Sequence, residues 1–549
     1  MKLYFLLIFV FITTTLKSQE IFNAIIGDDI EKVKSLVEAD TTQLEITQEH
    51  NMTPLMFAAS NGKYELTKLL IKMGADVHYL RPLGFSTIFM PSMFGHFEIV
   101  KLLVENGVDV NIKDRWDKTA LYVAINFGTK EIAEYLVDQG AEIPVVDFLL
   151  HHALAKGMTK IVEFMVKNGA NTSSFNDNGG TLLHSAASGD QATLIKEMID
   201  KGLDINRRNR YGIAPIHIAS IYGNQAFIET LIKYNADLNI KTNTGKNAYM
   251  LAYKNNHREV AEILKNAGTQ EIILDYMDVP DEPYFGLKKP DLVSEIFAPG
   301  IITTEIGEHG PIAISPDMDE IYWQASGIKY IKKINGKWTF PDTLAVFQKY
   351  QANNPAISVD GKTLFFQSKM SLKKDGTFKD NDLWLVRKTE NGWSEPENLG
   401  PNVNSNLNEI RVSVAGNGNI YFSVGNDFYR SVYKDEEYQP REKLGPPLDN
   451  KPGNAQYIAS DESFIIFESN KEGGFSDFNL YICFKKEDGS WSQPVIMGED
   501  ICKDNARFPG MISPDGKYFF FTSTRLGQGD IYWVDSGVLE RYRTEEEGP

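Results

Sequence analysis

Cysteine is almost missing from this chain, which has only Cys483 and Cys502 among its 549 residues. Two cysteines cannot form the disulfide framework on which many small secreted domains depend. Cys483 lies in an apolar, strand-like segment, and Cys502 lies in a connecting segment. The sequence leaves open whether the two form one disulfide or remain buried thiols that pack as small hydrophobic side chains.

An excess of positive charge is also missing. The chain has 56 Lys and Arg residues against 74 Asp and Glu residues, a formal net charge of −18. Nucleic-acid binding needs a basic face, and adhesion to an anionic membrane needs positive charge as well. We therefore expect neither nucleic acid nor a membrane surface as a partner, and the acidic balance favours solubility.

The common catalytic and metal-binding motifs do not occur in this sequence. There is no Gly-x-Ser-x-Gly nucleophile elbow and no Gly-x-x-x-x-Gly-Lys phosphate loop. His151 and His152 lie in an apolar run without the His-Glu-x-x-His or Cys-x-x-Cys spacing of a metal site. We expect no catalytic residue, no cofactor and no metal ion.

Long hydrophobic runs are missing except at the start, where Leu3 to Thr15 is apolar and follows Lys2. This run is shorter than the roughly 20 residues that span a bilayer. A positive start, a short apolar stretch and a small residue such as Ser18 predict a secretory signal peptide over residues 1–18. No cysteine follows it, so we expect a periplasmic or secreted protein without a lipid anchor and without a membrane span.

What the sequence does contain is an internal repeat, marked by glycine at intervals that are mostly about 33 residues long. A second glycine ladder runs in phase with the first. The two ladders are Gly62, Gly95, Gly128, Gly157, Gly189 and Gly223, and Gly74, Gly107, Gly140, Gly169, Gly202 and Gly268.

Each repeat predicts a pair of short helices. In one copy Thr53 and Pro54 open the first helix, where the missing N–H of proline costs nothing, and Gly62 ends it. Tyr64 to Met73 has apolar residues at helical spacing, and Gly74 supplies the left-handed cap that closes the second helix.

The opening and closing sequences of this unit recur along the first half of the chain. Thr181–Ala186 and Ala214–Ala219 repeat the Thr-Pro-Leu-His-x-Ala opening, and Leu102–Asn111 repeats the Gly-x-Asp-Val-Asn closing. The region 20–270 resembles seven to eight ankyrin repeats, which implies an α-solenoid that binds protein partners. In that family the motif histidine, here His184 or His217, forms local hydrogen bonds that hold the turn.

Two copies depart from the repeat pattern. The segment Ser86–Pro91 places a proline inside a predicted first helix, and the copy at Val145–Asn171 is short and lacks the Thr-Pro opening. We expect an irregular surface at these two copies. The polar first copy, near Glu20–Glu45, is typical of a capping repeat.

The predicted turns between repeats carry candidate protein-binding residues. Arginine, tryptophan and tyrosine are the residue types that dominate binding hot spots, and a surface with these arginines would favour an acidic partner. The alternative is that the residues are only solvated turn tips. The candidates are Arg115 and Trp116 on one turn and Arg207, Arg208, Arg210 and Tyr211 on another.

The second half of the chain repeats a turn followed by an aromatic strand. Ser513–Lys517, with the sequence Ser-Pro-Asp-Gly-Lys, is the clearest copy, and its proline and glycine favour a tight turn. Four strands in each unit are typical of propeller blades. Residues 291–536 resemble the TolB-type, WD-like β-propellers of bacterial envelopes. Five units predict five blades, with six left open, and Glu295–Pro299 is expected to supply the last strand.

The fold class is therefore a multidomain α + β protein, an N-terminal ankyrin α-solenoid followed by a C-terminal β-propeller. The proline-rich residues 271–290 are predicted to be a linker, and residues 537–549 a polar tail. The turn aspartates Asp317, Asp360 and Asp515 are expected to cap hairpins.

We expect a non-enzymatic protein-binding scaffold of the bacterial envelope or exterior, in which both domains offer interaction surfaces. The alternative is a propeller enzyme (a lactonase, lyase or glycan hydrolase) with the ankyrin array as a targeting module. Its site would be a polar ring where the inner strands begin, which is otherwise a solvated rim. That ring is His309, Asn353, Glu409, Asn454 and Arg507.

Overall fold

The computed structural model groups the chain into two compact units. The first takes residues up to Asn209 together with Ala214–Ile240 and Ala248–Glu271, and the second takes Arg210–Ile213, Lys241–Asn247 and Ile272 onward. Everything below concerns the residues that the structure describes. These are residues 20–48, 51–303, 310–325, 327–370, 381–390, 392–425, 427–448, 456–469, 478–502, 506–524 and 529–544.

The described part of the first unit contains eight pairs of short helices. Residues Thr41–Leu44, Pro82–Gly84 and Ala192–Leu194 add single 3-10 turns. The pairs are Glu20–Ile26 with Ile30–Ala39, Pro54–Ser60 with Tyr64–Lys72, Phe89–Phe94 with Phe97–Glu105, Ala120–Phe127 with Lys130–Asp138, Asp147–Ala155 with Thr159–Lys167, Leu182–Ser188 with Ile195–Asp200, Pro215–Tyr222 with Gln225–Lys233, and Ala248–Lys254 with Arg258–Asn266.

The helix ends follow from local chemistry. The Thr53 hydroxyl accepts a hydrogen bond from the backbone N–H of Met56, which satisfies one free donor of the first turn. Gly223 ends a first helix in the left-handed conformation, with φ of 73°. A Cβ atom at Gly223 would clash with the ring of His257, so both the backbone conformation and the close packing favour glycine.

The two irregular repeats have physical explanations. The helix that contains Pro91 begins at Phe89, so the proline lies within its first turn, where it breaks no helical hydrogen bond. A two-stranded hairpin of Leu80–Arg81 and Phe85–Ser86 precedes that helix. In the short repeat, Val146 precedes the helix Asp147–Ala155 without a side-chain capping bond, consistent with its lost Thr-Pro opening.

The second unit is a five-bladed, β-propeller-like arrangement of antiparallel sheets, so the six-blade alternative does not apply. In chain order, the blades are Ile312–Ile314, Glu320–Ala325, Gly327–Ile334 and Lys337–Trp338; Asn353–Ile357, Thr363–Ser368 and Asp382–Thr389 with Gly392–Trp393 and Glu397–Asn398; Glu409–Val414, Ile420–Val424, Asp427–Ser431 and Glu442–Lys443; Gln456–Ile458, Phe464–Ser469, Asn479–Phe484 and Val495–Ile496; and Ala506–Ile512, Tyr518–Ser523, Asp530–Asp535 and Glu295–Ile296.

Shorter elements complete the described part of this unit. One is the hairpin of Tyr433–Lys434 and Glu437–Tyr438. The others are the helices Ala345–Tyr350, Glu499–Cys502 and Glu540–Thr544 and the 3-10 turns Pro283–Gly286 and Ser536–Leu539.

The outer strand of the fifth blade comes from the start of the propeller sequence. Ile296 pairs with Tyr532 and Glu295 pairs with Trp533, which confirms the predicted closing strand. Next to it, Phe297 is fully buried, and its ring lies 4.9 Å from that of Phe520 and 5.1 Å from that of Trp533. Aromatic packing therefore helps to join the start of the propeller sequence to its last blade.

The repeated turns are held by their serine and aspartate side chains. The Ser513 hydroxyl donates to Asp515 at 2.7 Å and accepts from the backbone N–H of Tyr518 at 2.9 Å. Although burial opposes the shift, hydrogen bonds from Ser513 and Tyr284 lower the pKa of Asp515 to about 2. Asp317 and Asp360 accept backbone hydrogen bonds in the same way, which confirms that these aspartates cap hairpins.

Cys483 and Cys502 are both buried, and they do not form a disulfide. They pack in different hydrophobic clusters, Cys483 with Phe428 and Phe467, and Cys502 with Met497 and Ile501. Both therefore pack as small side chains in apolar surroundings, and Cys502 also accepts a hydrogen bond from the backbone N–H of Leu480 at 3.3 Å. Within the described ranges, no helix has both the length and the apolar character needed to cross a bilayer.

Candidate functional site

The structure offers two candidate sites, one on the turns between helix pairs and one inside the propeller. On the first, the guanidinium of Arg115 lies 4.4 Å from the ring of Trp116. Trp116 is 42% exposed and makes an edge contact with Phe85 at 5.9 Å. The guanidinium of Arg81 lies 5.6 Å from the ring of Phe85, so these side chains form a row in the order Arg115, Trp116, Phe85 and Arg81. The two turns therefore present stacked aromatic and cationic side chains.

The same pairing recurs two turns further along the first unit. The guanidinium of Arg207 lies 4.7 Å from the ring of Phe175, and Phe175 is 53% exposed. Arg207 and Arg208 are both exposed. A guanidinium stacked on an aromatic ring is held in place while its N–H groups remain available to a partner.

Large exposed apolar side chains lie on four successive turns, counted from the turn before Phe89–Phe94. We define the finger surface as these side chains, each more than a third exposed. Patches of exposed apolar side chains rimmed by polar groups are typical of protein-binding surfaces. The finger surface consists of Leu80 and Leu83, then Trp116, then Val145 and Val146, then Phe175.

Three aspartates at the turns of the first unit accept hydrogen bonds from the backbone. Asp114 accepts hydrogen bonds from the N–H groups of Trp116 and Lys118, both at 2.9 Å. Asp76 accepts from His78 at 2.8 Å, and Asp204 accepts from Asn206 at 2.9 Å. These three aspartates thus direct their charge to N–H groups of their own turns, whereas Asp117, beside Trp116, is exposed and forms an ion pair with Lys113.

Tyr211 and Arg210 have a different environment from the exposed turn tip that the sequence predicts. Tyr211 is only 1% exposed, and its hydroxyl donates to Oδ1 of Asp530 at 3.1 Å within the second unit. Arg210 is partly buried, and its Nη1 atom is fully enclosed. Tyr211 is therefore a packing residue, because an aromatic ring buried in this way cannot meet a partner.

The motif histidines hold local structure. Nδ1 of His217 accepts from the backbone N–H of Ala214 at 3.0 Å, and its Nε2 donates to the Ile240 carbonyl at 2.9 Å. Burial lowers the pKa of His217 to about 4, which keeps the ring neutral. His184 accepts from the N–H of Thr181 at 3.0 Å, so the predicted structural role of both histidines is confirmed.

His151 and His152 also have structural partners. His151 contacts the hydroxyls of Ser185 at 2.8 Å and Ser174 at 3.2 Å, and Nδ1 of His152 contacts the Asn126 carbonyl at 2.9 Å. Burial lowers the pKa of His151 to about 4. Among the described residues, no group of three or more His, Cys, Asp or Glu side chains has metal-site geometry.

Inside the propeller, a closed series of hydrogen bonds joins each blade to the next. In every blade a side chain near the end of the second strand contacts the start of the inner strand of the following blade. We call these contacts the interblade belt. Its pairs are Gln324 with Asn354, Gln367 with Arg411, Ser423 with Gln456, Glu468 with Phe508 and Thr522 with Gly310, at 2.7, 3.2, 2.6, 3.1 and 2.8 Å.

A cavity of about 720 Å³ lies among the five inner strands and the turns that follow them. Its lining begins near the interblade belt, with Pro311, Pro355 and Arg411, and ends at the turns, with Pro514. Arg543, on the helix Glu540–Thr544, also lines it. A volume of this size suits a small organic ligand.

The two members of the sequence-predicted ring whose side chains the structure describes do not supply this lining. Asn353 accepts a hydrogen bond from Gln324 at 2.9 Å, and Glu409 is fully buried in a 2.9 Å ion pair with Arg441. Neither lines the cavity. Arg507 lies in the inner strand of the fifth blade, but its side chain is outside the described atoms, and His309 and Asn454 lie outside the described residues.

Comparisons with known proteins identify the first unit. A single-repeat family model, "Ankyrin repeat", matches residues 50–81, and the model "Ankyrin repeats (3 copies)" matches residues 78–147, 147–209 and 189–274. Residues 50–274 are ankyrin repeats. The ankyrin turns that form the finger surface, from Leu80 to Phe175, all lie inside these matches.

One solved structure that matches is the crystal structure of the human ASB11 ankyrin repeat domain. Its identity to this chain is 25%, the match covers 40% of this chain and 100% of that chain, and the TM-score is 0.29. No curated protein matches this chain.

Sequence reasoning missed both the interblade belt and the cavity. A signal for the belt was present, since four of the five contributing side chains directly follow an aromatic pair or triplet in the second strand, as in Tyr322-Trp323-Gln324 and Phe365-Phe366-Gln367. A signal for the cavity was the Pro residue near the start of three inner strands, Pro311, Pro355 and Pro509.

Proposed function

We infer that this protein is a non-enzymatic, protein-binding scaffold of the bacterial envelope or exterior. The ankyrin repeats supply the main recognition surface, and the propeller offers a second one. The observation that carries this inference is the finger surface, where six large apolar side chains on four successive turns are each more than a third exposed. Ankyrin arrays bind partners along extended surfaces of this kind.

The chemistry of the finger surface favours a partner with an acidic, partly apolar face. Arg115 and Arg207 stack on exposed aromatic rings, while Asp76, Asp114 and Asp204 bond to backbone N–H groups. Aromatic side chains flanked by arginine are the usual composition of binding hot spots. A net charge of −18 over the chain disfavours nucleic acid as this partner.

The location and the propeller type are part of the same proposal. The Lys2 and Leu3–Thr15 pattern supports export with removal of residues 1–18, into the periplasm or the exterior. The Ser-Pro-Asp-Gly-Lys turn at Ser513–Lys517, with its serine–aspartate hydrogen bond, supports a TolB-type propeller. N-terminal sequencing of the mature protein tests export: a start near residue 19 supports it, and an intact Met1 on cytoplasmic material contradicts it.

Site-specific photocrosslinking tests the binding surface. A benzoylphenylalanine probe replaces Trp116 or Phe175 in the full chain, and a matched probe replaces Phe164. Phe164 is 41% exposed but lies on the helix Thr159–Lys167 rather than on a turn. We expect both turn probes to capture the same protein and the Phe164 probe not to capture it. Equal capture at all three positions contradicts the proposed surface.

A further inference from the structure

We propose that the propeller cavity is a binding site for an elongated organic carboxylate with an apolar body, such as a medium-chain fatty acid. This inference goes beyond the scaffold function and does not depend on it. The cavity lies between the interblade belt and the Ser-Pro-Asp turns. Asn353 and Glu409, the two members of the polar ring with described side chains, lie outside it.

Three prolines add apolar surface to the inner end of the cavity, whose lining is mixed polar and apolar. Pro355 and Pro509 lie in the inner strands of the second and fifth blades, Pro311 directly precedes the inner strand of the first, and all three line the cavity. An inner strand of a propeller has one free edge, where alternate residues direct their N–H groups towards the channel. Proline has no N–H group, so at these positions the edge offers an apolar ring instead of a hydrogen-bond donor.

Many of the polar side chains that line the cavity are already engaged within the propeller. The Ser413 hydroxyl accepts from the N–H of Ile458 at 3.0 Å, and the Ser513 hydroxyl bonds to Asp515. Gln456 accepts from Ser423 and donates to the Arg411 carbonyl at 2.7 Å. Groups committed in this way do little to hold water, and a stable internal water needs two to four polar partners. The middle of the cavity therefore suits an apolar chain.

Charge is placed at the two ends of the cavity. Arg411 lies at the belt end, with its guanidinium 3.6 Å from the Phe508 ring. Arg543 lies at the turn end, where its Nε atom is 3.8 Å from Oε2 of Glu540 in an exposed ion pair that leaves its other N–H groups available. The acidic side chain in the lining is Asp461, which accepts two hydrogen bonds from Ser463. The lining thus carries one net positive charge in a chain whose total is −18. Arginine binds carboxylates through paired hydrogen bonds, so we assign the ligand's carboxylate to Arg543.

The test uses isothermal titration of the full chain with decanoate and with decanamide, which has the same apolar tail but no charge. We expect saturable, one-site binding of decanoate and binding of decanamide that is weaker by about fivefold or more, since a charge-assisted hydrogen bond is lost. Absence of saturable decanoate binding overturns the proposal. Equal affinity for the two compounds also overturns it, because the arginine would then have no role.

Two variants with matched controls locate the site. Arg543→Gln should weaken decanoate binding by about fivefold and leave decanamide binding unchanged, whereas Arg541→Gln, on the same helix but outside the lining, should change neither. Val359→Trp should block the cavity, because Val359 lines it and is 51% exposed, so a larger side chain is tolerated by the fold. Val293→Trp, 64% exposed and outside the lining, is its control. Decanoate binding that is unchanged in both Arg543→Gln and Val359→Trp overturns the assignment.

Discussion

The guanidinium carbon of Arg411 lies 3.6 Å from the centroid of the Phe508 ring, and this contact connects the third blade to the fifth. Both residues have positive φ, 53° and 44°, a conformation that costs roughly 1–2 kcal/mol for residues other than glycine. The backbone N–H of each belongs to the interblade belt. The belt therefore holds two strained residues in the positions that bring their side chains together.

The belt itself should contribute measurably to stability. Gln324→Ala removes the acceptor of the Asn354 N–H, and Asn354 is only 8% exposed. A buried donor without a partner costs about 1–3 kcal/mol, so the free energy of unfolding should fall by that amount. Gln348→Ala, at an exposed helix position, should change it by less than about 0.5 kcal/mol. Denaturant unfolding followed by tryptophan fluorescence measures both, and equal midpoints for the two variants would contradict the role of the belt.

The packing of Phe297, next to the closing strand Glu295–Ile296, is the basis of a second prediction about stability. Phe297 is fully buried against Phe520 and Trp533, and truncating a buried phenylalanine to alanine costs about 3–5 kcal/mol. Phe297→Ala should therefore lower the thermal midpoint of the strand-rich unit strongly. Val293→Ala, 64% exposed and four residues earlier, should leave that midpoint within error of the wild type. If Phe297→Ala behaves like the control, aromatic packing does not secure the ring closure.

The environment of Asp530 predicts that the stability of the fold decreases as the pH rises. Burial raises the pKa of Asp530 to about 6, although the hydrogen bond from Tyr211 and the charge of Arg210 oppose the shift. A carboxyl whose pKa is higher in the folded state than the ordinary value near 3.9 favours folding while it is protonated. This contribution is lost as the pH rises from about 4 through 6, and above that range the buried charge destabilises the fold.

Asp530→Asn should therefore stabilise the protein at pH 8 and change its stability little at pH 4. The amide oxygen can still accept the hydrogen bond from Tyr211, which keeps the comparison local. Thermal unfolding of wild type and variant at the two pH values measures the difference. A variant that is equally destabilised at both pH values would contradict this account. It would show that the Asp530 carboxyl stabilises the fold in either protonation state, instead of lowering its stability when it ionises.

Local sequence patterns were sufficient for much of the fold. The glycine ladder and the Thr-Pro openings located the helix pairs, and the Ser-Pro-Asp turns located the blades, because caps and turns depend on a few adjacent residues. The closing strand at Glu295–Ile296 was predictable for a related reason: the last unit lacked one strand and the region before the first unit had one to spare.

The candidate sites were less predictable, because they depend on partners far apart in the sequence. Glu409 was expected at a channel rim, but its ion pair with Arg441, 32 residues away, fixes it inside the third blade. The β-bulge between Ile410 and Ser413 changes which side chains face the channel, and a turn alignment cannot register it. Tyr211 bonds to a residue 319 positions away, so its burial has no local signal.

The most direct test of the proposed function is the affinity of the finger surface for the partner identified by crosslinking. The double variant Trp116→Ala, Phe175→Ala removes two exposed aromatic side chains, and these are the rings on which Arg115 and Arg207 stack. Phe164→Ala is the matched control. We predict that the double variant binds at least about 30-fold more weakly, since hot-spot truncations cost about 2 kcal/mol or more, at an unchanged melting temperature. The wild-type affinity should also fall as salt is raised, because exposed charges are screened. Unchanged affinity in the double variant, with the fold intact, would contradict the central claim that these ankyrin turns bind the partner.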